Sequence, residues 1–266
     1  MNNLMNVIDK GSIEVRDIET LLDRYIRFMD VSDRSVRTYA GNVKQFIKWI
    51  DAEGISQPKR DDIITYRDHL KEYCKPSTVQ GYITALRLFF TWTAQEGLYP
   101  NIAAKVKGAK VDKEHKKDFL SAPQLNEVLS GIDTSTLNGR RDFAMIKLMA
   151  TCGLRTIEVS RANVEDLTTL GGEAILFIQG KGRADKNDYV RVPQSVVKVI
   201  RDYLKEREAG EGEPLFTSSS NNSKGNRLST KSISTTVKHY LVSAGYDSDR
   251  LTAHSLRHSA VTLSLM

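Results

Sequence analysis

Apolar residues in the first hundred positions recur at steps of three and four, which predicts amphipathic helices. Ser32 is placed to cap one of these helices, and Pro76 suits the first turn of another. Gly97 stands where the last of them ends. With two further helical segments, the pattern predicts a compact four-helix domain over residues 12–97, preceded by a disordered N-terminus of residues 1–11.

After residue 117 the pattern becomes mixed. Ser121 begins a segment with the form of a capping box, and Gly153 is placed to end a strongly apolar helix. Two predicted strands, 173–178 and 189–192, flank a turn rich in glycine and charge, which indicates a β-hairpin. Helices are predicted over 141–152, 157–163, 194–207, 229–244 and 254–266. The sequence therefore predicts a mainly α protein with a small antiparallel β-sheet, of the α+β class.

Composition narrows the class of protein. The length of 266 residues fits two domains, and 40% hydrophobic residues are enough to build their cores. The sequence has no apolar run of about eighteen residues, and residues 1–10 lack the apolar centre of a signal peptide. Its two cysteines, Cys74 and Cys152, form neither a disulfide framework nor a metal-ligand spacing. These features predict a soluble cytoplasmic protein with no membrane partner.

The net charge of +6 is concentrated in residues 98–117, where six lysines stand against two acidic residues. A basic segment between two nearly neutral parts suits a nucleic-acid clamp, because a lysine near a phosphate releases a condensed counterion. The same composition also suits a solvated linker that its charges keep extended. We interpret the segment as a basic linker, with Lys105, Lys107 and Lys110 as candidate DNA contacts.

Aromatic and basic residues interleave along the second predicted helix. Aromatic side chains at helical spacing are more typical of a core than of a binding face. The exposed basic side chains are therefore the candidate DNA contacts of the first domain, namely Arg34, Arg37 and Lys44.

Two turns in the second half could carry chemistry. Arg155 lies between two predicted helices, where its planar guanidinium could bind a phosphate or a carboxylate. Glu158, near the start of the following helix, could hold that arginine in position. Lys181 lies at the hairpin tip between two glycines, where a flexible ammonium can approach a ligand closely. Each feature alone also fits an ordinary surface turn.

The last predicted helix begins with a third candidate cluster. His254 and Arg257 are three residues apart, so they share one helix face and bring an imidazole next to a fixed cation. His254 and His258 have the spacing of a metal-ligand pair, but no acidic partner motif accompanies them. We therefore predict no metal site, and we interpret His258 as a packing residue.

Taken together and in this order, the segments GLRTIE, GKG and HSLRH resemble the motifs of the tyrosine recombinase (phage integrase) family. The resemblance spans about residues 12 to 266. It implies a SAM-like core-binding domain at 12–97 and a tyrosine-recombinase catalytic domain at 118–266. It also implies site-specific recombination or integration of double-stranded DNA for a phage or mobile element, without a metal or small-molecule cofactor. The family's habit further implies a homo-tetramer on DNA for the full-length protein.

The resemblance assigns a role to each candidate. Arg155 and Arg257 would bind the non-bridging oxygens of the scissile phosphate. His254 would support the same phosphate, and Lys181 would protonate the departing 5′-oxygen. A tyrosine downstream of the His-x-x-Arg motif forms a 3′-phosphotyrosyl intermediate in this family. All ten tyrosines of this sequence precede Arg257, so we interpret the sequence as C-terminally truncated and expect no DNA cleavage by this chain alone.

Two other functions stay open at this point. The chain could be a catalytically inactive DNA-binding remnant that occupies recombination sites. It could also belong to another class of phosphotransfer enzyme, the type IB topoisomerases, which carry a similar set of residues. The short linker and the small size of the chain favour a recombinase over a topoisomerase.

Overall fold

The computed structural model describes residues 18–110, 118–180, 182–183 and 185–264. The chain divides into two units, Met1–Lys113 and Glu114–Met266. The segment 1–11, which we predict to be disordered, lies outside the described residues. Among the helices that the structure describes, none has the length and apolar character needed to cross a membrane.

Four helices form the described part of the first unit, as the apolar pattern predicts. They are α1 (Ile18–Phe28), α2 (Asp33–Ala52), α3 (Arg60–Tyr73) and α4 (Pro76–Gln95). Ser32 caps α2 by accepting a hydrogen bond from the Ser35 N–H at 3.4 Å. Pro76 occupies the first turn of α4, where its missing N–H costs no intrahelical bond.

Aromatic side chains fill the centre of this unit. Tyr25 is buried, and its ring meets Phe89 edge-on with 5.2 Å between centroids. Phe46 and Phe90 are also buried and meet edge-on at 6.0 Å. Because these rings come from α1, α2 and α4, they join three helices in one core. The aromatic residues that interleave with basic residues along α2, Tyr39 and Trp49, are partly buried and pack against this core, in agreement with their interpretation as core residues.

The segment after α4 folds onto the first unit. Leu98, Tyr99 and Val106 are buried in its core. Arginines of the helices donate to the backbone carbonyls of this segment: Arg67 Nη1 donates to Lys107 at 3.1 Å, and Arg87 Nη2 donates to Val106. We predicted a linker over 98–117, but its described part, 98–110, is packed in this way. Two features explain why this segment is packed and not an extended linker. Apolar residues between the lysines are buried in the core, and backbone carbonyls of the segment accept hydrogen bonds from arginines.

Six helices and three strands form the described part of the second unit. The helices are α5 (Ala122–Ser130), α6 (Leu137–Cys152), α7 (Thr156–Arg161), α8 (Gln194–Glu206), α9 (Thr230–Ser243) and α10 (Ala253–Ser264). A 3-10 helix, Val164–Asp166, follows α7 and leads to the strands β1 (Leu167–Leu170), β2 (Glu173–Ile178) and β3 (Asp188–Arg191). The mainly α class with a small antiparallel sheet is therefore confirmed.

The helix α6 lies at the centre of this unit and packs against α8 and α10. Met145, Ile146 and Leu148 of α6 are fully buried. The helix begins four residues before the predicted start at 141, because Thr136 caps it by accepting the Gly139 N–H at 3.1 Å. Its apolar stretch begins only after this polar first turn.

The sheet has the strand order β1-β2-β3, and both pairs are antiparallel. Leu176 of β2 pairs with Leu167 on one side and with Val190 on the other. The sequence pattern missed β1, because this strand has four residues and three of them are exposed. The predicted hairpin is present as β2 and β3, and its turn faces the end of α7.

Candidate active site

Gly153 ends α6 and begins the turn that carries Arg155. Its φ of 65° lies in the left-handed region, which favours glycine. Its N–H donates to the Met149 carbonyl at 3.0 Å, as expected of a helix C-cap. Arg155 follows two residues later as the N-cap of α7. The turn between two helices that we predicted around Arg155 is therefore present.

Glu158, in the first turn of α7, holds Arg155 through two hydrogen bonds. Its Oε1 accepts from Arg155 Nη1 at 2.7 Å, and its Oε2 accepts from the Arg155 backbone N–H at 2.7 Å. The Glu158 side chain is only 2% exposed, whereas that of Arg155 is 46% exposed. The carboxylate is thus a buried anchor for a guanidinium that still reaches the surface.

Arg257, on α10, lies near the same carboxylate. Its Nη1 donates to the Gly153 carbonyl at 2.6 Å and lies 3.9 Å from Glu158 Oε2. The carbonyl that α6 leaves free at its C-terminal end therefore positions this arginine. Two guanidinium groups from distant parts of the sequence, Arg155 and Arg257, converge on one carboxylate.

Both arginines line one cavity of about 610 Å³. The hairpin between β2 and β3 contributes Gly180, Arg183 and Asp188 to its wall. The cavity thus lies where the α6–α7 corner, the hairpin and α10 meet. Several cationic groups around a concave surface make it suitable for an anionic ligand.

Lys181 lies outside the described residues, although both of its neighbours are described. Gly180 lines the cavity, and its carbonyl accepts the Arg183 N–H at 3.3 Å across the turn. Gly182 has a φ of 79°, a conformation that favours glycine. The structure therefore brings the residue before Lys181 to the cavity.

His254 is the second residue of α10, one turn before Arg257. It is exposed, and its ring lies 4.9 Å from the ring of His258 in an edge-on arrangement. Among the described residues of the cavity wall, Arg257 appears and His254 does not. No group of three His, Cys, Asp or Glu within the described ranges could hold a metal ion.

Cys152 lines the cavity beside Gly153, a position that the sequence did not single out. Its Sγ lies 3.5 Å from the Arg191 carbonyl, to which it donates. Burial raises the pKa of the thiol to about 11, so the group is neutral near pH 7. The cavity wall beside the two arginines therefore carries no additional negative charge at this point.

The candidate DNA contacts lie on the surface of the first unit. Arg34, Arg37 and Lys44 are exposed on α2, and Lys48 continues the same face at helical spacing. Lys105, Lys107 and Lys110 are exposed as well, in the segment packed after α4.

Sequence reasoning missed the side chains that hold the hairpin. Arg161 at the end of α7 donates to the Gly180 carbonyl, and Asp166 binds Lys186. A signal was present in part, since Lys186 is one of several charged residues in the predicted turn. Its partner could not be read from the sequence, because twenty residues separate the two.

The fold and the paired arginines define a two-domain protein with a candidate phosphate site. Residues 118–263 match the phage integrase family, and residues 20–98 match the N-terminal SAM-like domain of phage integrases. The chain belongs to the phage integrase family, whose members are tyrosine recombinases.

Similar proteins agree with this family. Tyrosine recombinase XerC 2 of Ralstonia nicotianae is 29% identical over 245 residues, which cover 86% of this chain and 68% of that protein. Tyrosine recombinase XerD of Listeria innocua is 26% identical over 254 residues, which cover 91% of this chain and 84% of that protein.

Solved structures show the same fold. XerH recombinase bound to a palindromic difH substrate, in a post-cleavage complex, has a TM-score of 0.73 and 20% identity. That match covers 98% of this chain and 76% of the other. A dimer of lambda integrase (75–356) bound to a COC′ core site has a TM-score of 0.70 and 17% identity, over 92% of this chain and 89% of the other.

Proposed function

We propose that this chain acts in site-specific DNA recombination and that its second unit holds one phosphodiester of double-stranded DNA in the cavity. The observation that carries the proposal is the shared carboxylate. Glu158 binds Arg155 at 2.7 Å and lies 3.9 Å from Arg257, so that two guanidinium groups reach one cavity. Two cations in fixed positions suit a phosphate whose oxygens gain negative charge as its ester is cleaved.

In this mechanism Arg155 and Arg257 bind the non-bridging oxygens of the scissile phosphate. The pentacoordinate transition state concentrates charge on those oxygens, and guanidinium groups that are already oriented stabilise it with little reorganisation. The hydrogen bonds of Glu158 to Arg155 and of the Gly153 carbonyl to Arg257 support this orientation. A buried anchor behind each arginine is what preorganisation requires.

Proton transfer completes the proposed site. Lys181 donates a proton to the departing 5′-oxygen, and His254 supports the phosphate and assists the transfer. Groups in such roles contribute about 10²–10⁴ to a rate when they lie within hydrogen-bonding reach. The order of the three motifs and the position of Gly180 in the cavity wall support these assignments.

A tyrosine nucleophile would form the 3′-phosphotyrosyl intermediate, which stores the bond energy for rejoining to another strand. We assign none of the ten tyrosines of this sequence to that role. The hydroxyl of Tyr240 donates to Asp142 at 3.3 Å, and that of Tyr246 donates to Glu127 at 2.5 Å. Burial raises the pKa of Tyr240, and the bond to Glu127 raises that of Tyr246, which disfavours either phenolate.

We extend the DNA contacts and the assembly to this chain in the same way. The basic face of α2 and the lysines after α4 would track the DNA backbone through phosphate contacts. Among the similar structures, one is described as a lambda integrase tetramer bound to a Holliday junction. A homo-tetramer on two DNA duplexes is the corresponding proposal for the full-length protein, without a small-molecule cofactor.

A covalent adduct separates the enzyme from a DNA-binding remnant. The protein translated from the complete reading frame around this sequence is used to select fragments of its source genome by binding. The selected duplexes, with a nick placed near the cleavage position, are then incubated with the protein. A protein–DNA adduct that survives denaturant supports the recombinase, whereas tight binding without any adduct supports the inactive binder.

In a protein that forms the adduct, Arg155→Ala and Arg257→Ala should each lower the rate of adduct formation about 10²–10³-fold. DNA affinity should change little, because many phosphate contacts elsewhere maintain it. Arg201→Ala is the matched control, since Arg201 is an exposed arginine of α8 outside the described cavity wall. A near-normal rate in either variant would remove that arginine from the proposed site.

A further inference from the structure

Two side chains from outside the β2–β3 hairpin bond to it, one before its turn and one after it. Arg161 Nη1 donates to the Gly180 carbonyl at 3.1 Å, in a partly buried position. Arg161 is the last residue of α7, the helix that Arg155 begins. The backbone immediately before Lys181 is thus bonded to the helix that presents the phosphate-binding arginine.

The second contact lies after the turn. Lys186 Nζ bonds to Asp166 Oδ2 at 2.5 Å, and the Asp166 side chain is 9% exposed. The same Oδ2 also accepts the Asn163 N–H at 2.6 Å, which fixes the carboxylate within the 3-10 helix. The two contacts therefore come from the last residue of α7 and from the 3-10 helix that follows it.

We propose that Arg161 and Asp166 are positioning residues, which fix the hairpin so that Lys181 meets the departing oxygen at the correct distance. The inference rests on the proposed function, in which Lys181 is the general acid. A general acid must lie about 2.6–3.2 Å from the atom that it protonates. A misplacement of about 1 Å can lower a rate about 10²-fold.

The local sequence makes such support necessary. Lys181 stands between Gly180 and Gly182, and glycine leaves the backbone the widest choice of conformations. Within the hairpin itself, Gln179 Nε2 donates to the Arg183 carbonyl at 3.0 Å, and Arg183 pairs with Asp188 at 3.4 Å. Arg183 and Asp188 are exposed, so these two residues hold the turn together without fixing it to the rest of the unit.

The chemistry of the leaving group offers a specific test. During cleavage the oxygen of the tyrosine nucleophile forms a bond to phosphorus and the P–O5′ bond breaks. The electron pair of the broken bond stays on O5′, and the Lys181 ammonium supplies the proton and becomes neutral. A sulfur at the 5′ position leaves as a stable thiolate, because a thiol has a pKa of about 8.5, against about 15.7 for water. A 5′-thio substrate therefore needs neither the acid nor its correct position.

The experiment compares matched nicked duplexes with oxygen or sulfur at the 5′ position, using the protein from the complete reading frame. Lys181→Ala should lower cleavage of the oxygen substrate about 10²–10⁴-fold. Arg161→Ala should lower it about 10–10²-fold, and Asp166→Asn should act in the same direction. On the 5′-thio substrate, the cleavage rates of all three variants should lie within about 3-fold of the rate of the unchanged protein. Arg161→Lys should restore part of the oxygen rate, since an ammonium can also donate to the Gly180 carbonyl.

Arg140→Ala is the control for loss of an arginine that binds a backbone carbonyl. Arg140 Nε donates to the Thr134 carbonyl at 2.8 Å, far from the hairpin in the sequence, and its loss should leave both substrates unaffected. Equal losses on both substrates in Arg161→Ala would overturn the positioning role, as would no loss at all. If sulfur fails to rescue Lys181→Ala, the acid assignment itself is wrong. If the unchanged protein cleaves neither substrate, the proposed enzymatic function fails and this inference fails with it.

Discussion

The two units differ in whether charged side chains are buried in their cores. In the described part of the first unit, Thr93 is the one polar residue that is fully buried, and the core is built from apolar and aromatic side chains. The described part of the second unit buries six polar or charged residues, which are Arg141, Asp142, Glu158, Asp166, Ser255 and Ser259. Among the described residues, the first unit therefore has no charged residue in its buried core, whereas the second unit has four.

An ion pair between adjacent Arg and Asp residues occurs in a helix of each unit, more exposed in the first and buried in the second. Arg67 pairs with Asp68 at 2.9 Å in α3, with side chains 18% and 50% exposed. Arg141 pairs with Asp142 at 2.8 Å in α6, with side chains 8% and 10% exposed. A hydrogen bond from Lys71 lowers the pKa of Asp68, whereas burial raises the pKa of Asp142 despite the adjacent arginine.

These shifts make opposite contributions to stability. Ionised Asp68 favours folding above its ordinary pKa of 3.8, and this contribution is lost as the pH falls through the lowered pKa. Protonated Asp142 favours folding at low pH, and that contribution is lost as the pH rises from 3.8 through the raised pKa. Burial of Asp142 therefore carries a cost in solvation that the exposed Asp68 does not have.

The largest effect is expected from Asp142→Ala. The substitution leaves the buried guanidinium of Arg141 without its carboxylate and removes the acceptor of the Tyr240 hydroxyl. Loss of one partner of a buried pair costs about 3–5 kcal/mol. Urea unfolding should show this decrease in the free energy of unfolding.

Asp68→Ala is the matched control in the first unit. An exposed pair contributes about 0–1 kcal/mol, so this variant should unfold close to the unchanged protein. Equal decreases in the free energy of unfolding in Asp142→Ala and Asp68→Ala would show that burial of the ion pair does not determine its contribution to stability.

An intermediate effect is expected from the basic segment of the first unit. Lys105, Lys107 and Lys110 are exposed, and we expect their replacement by Gln to weaken binding to duplex DNA. Each phosphate that a lysine no longer neutralises reduces the slope of log affinity against log salt by about 0.9, so three such phosphates reduce it by up to about 2.7. Binding titrations over a series of salt concentrations measure both the affinity and the slope.

Three exposed cations of α8 provide the control with the same change of net charge. Lys198, Arg201 and Lys205 replaced together by Gln should leave the salt slope nearly unchanged. An equal slope change in both triple variants would mean that net charge alone sets affinity. An unchanged slope in the first variant would mean that the segment after α4 makes no phosphate contacts.

Local chemistry explains which parts of the fold could be predicted from the sequence. Ser121 and Gln124 form the predicted capping box at α5, and Gly153 ends α6 as expected. These features depend on residues within one helical turn. The turn that carries Arg155 and the β2–β3 hairpin were also predictable, because each depends on residues that are close together in the sequence.

The remainder depends on contacts between distant residues. The linker prediction at 98–110 could not include the bond from Arg67 to the Lys107 carbonyl, because the two residues are 40 positions apart. The convergence of Arg155 and Arg257 on Glu158 is likewise non-local. For that pair the family resemblance supplied an expectation that periodicity alone did not contain.

The smallest effect, and the one with opposite signs in two measurements, is expected from Gly41→Ala. Gly41 lies within α2, and a methyl group there would have no heavy atom within 4 Å, so packing does not require the glycine. Alanine should therefore raise the free energy of unfolding by about 0.5–1 kcal/mol.

Gly41 also lies between Arg37 and Lys44 on the basic face, where a bare backbone lets a phosphate approach closely. If DNA lies on this face, the more stable variant should bind DNA less tightly. Gly81→Ala in α4 should raise stability to the same extent without weakening binding, and unchanged affinity in Gly41→Ala would exclude close contact at this helix.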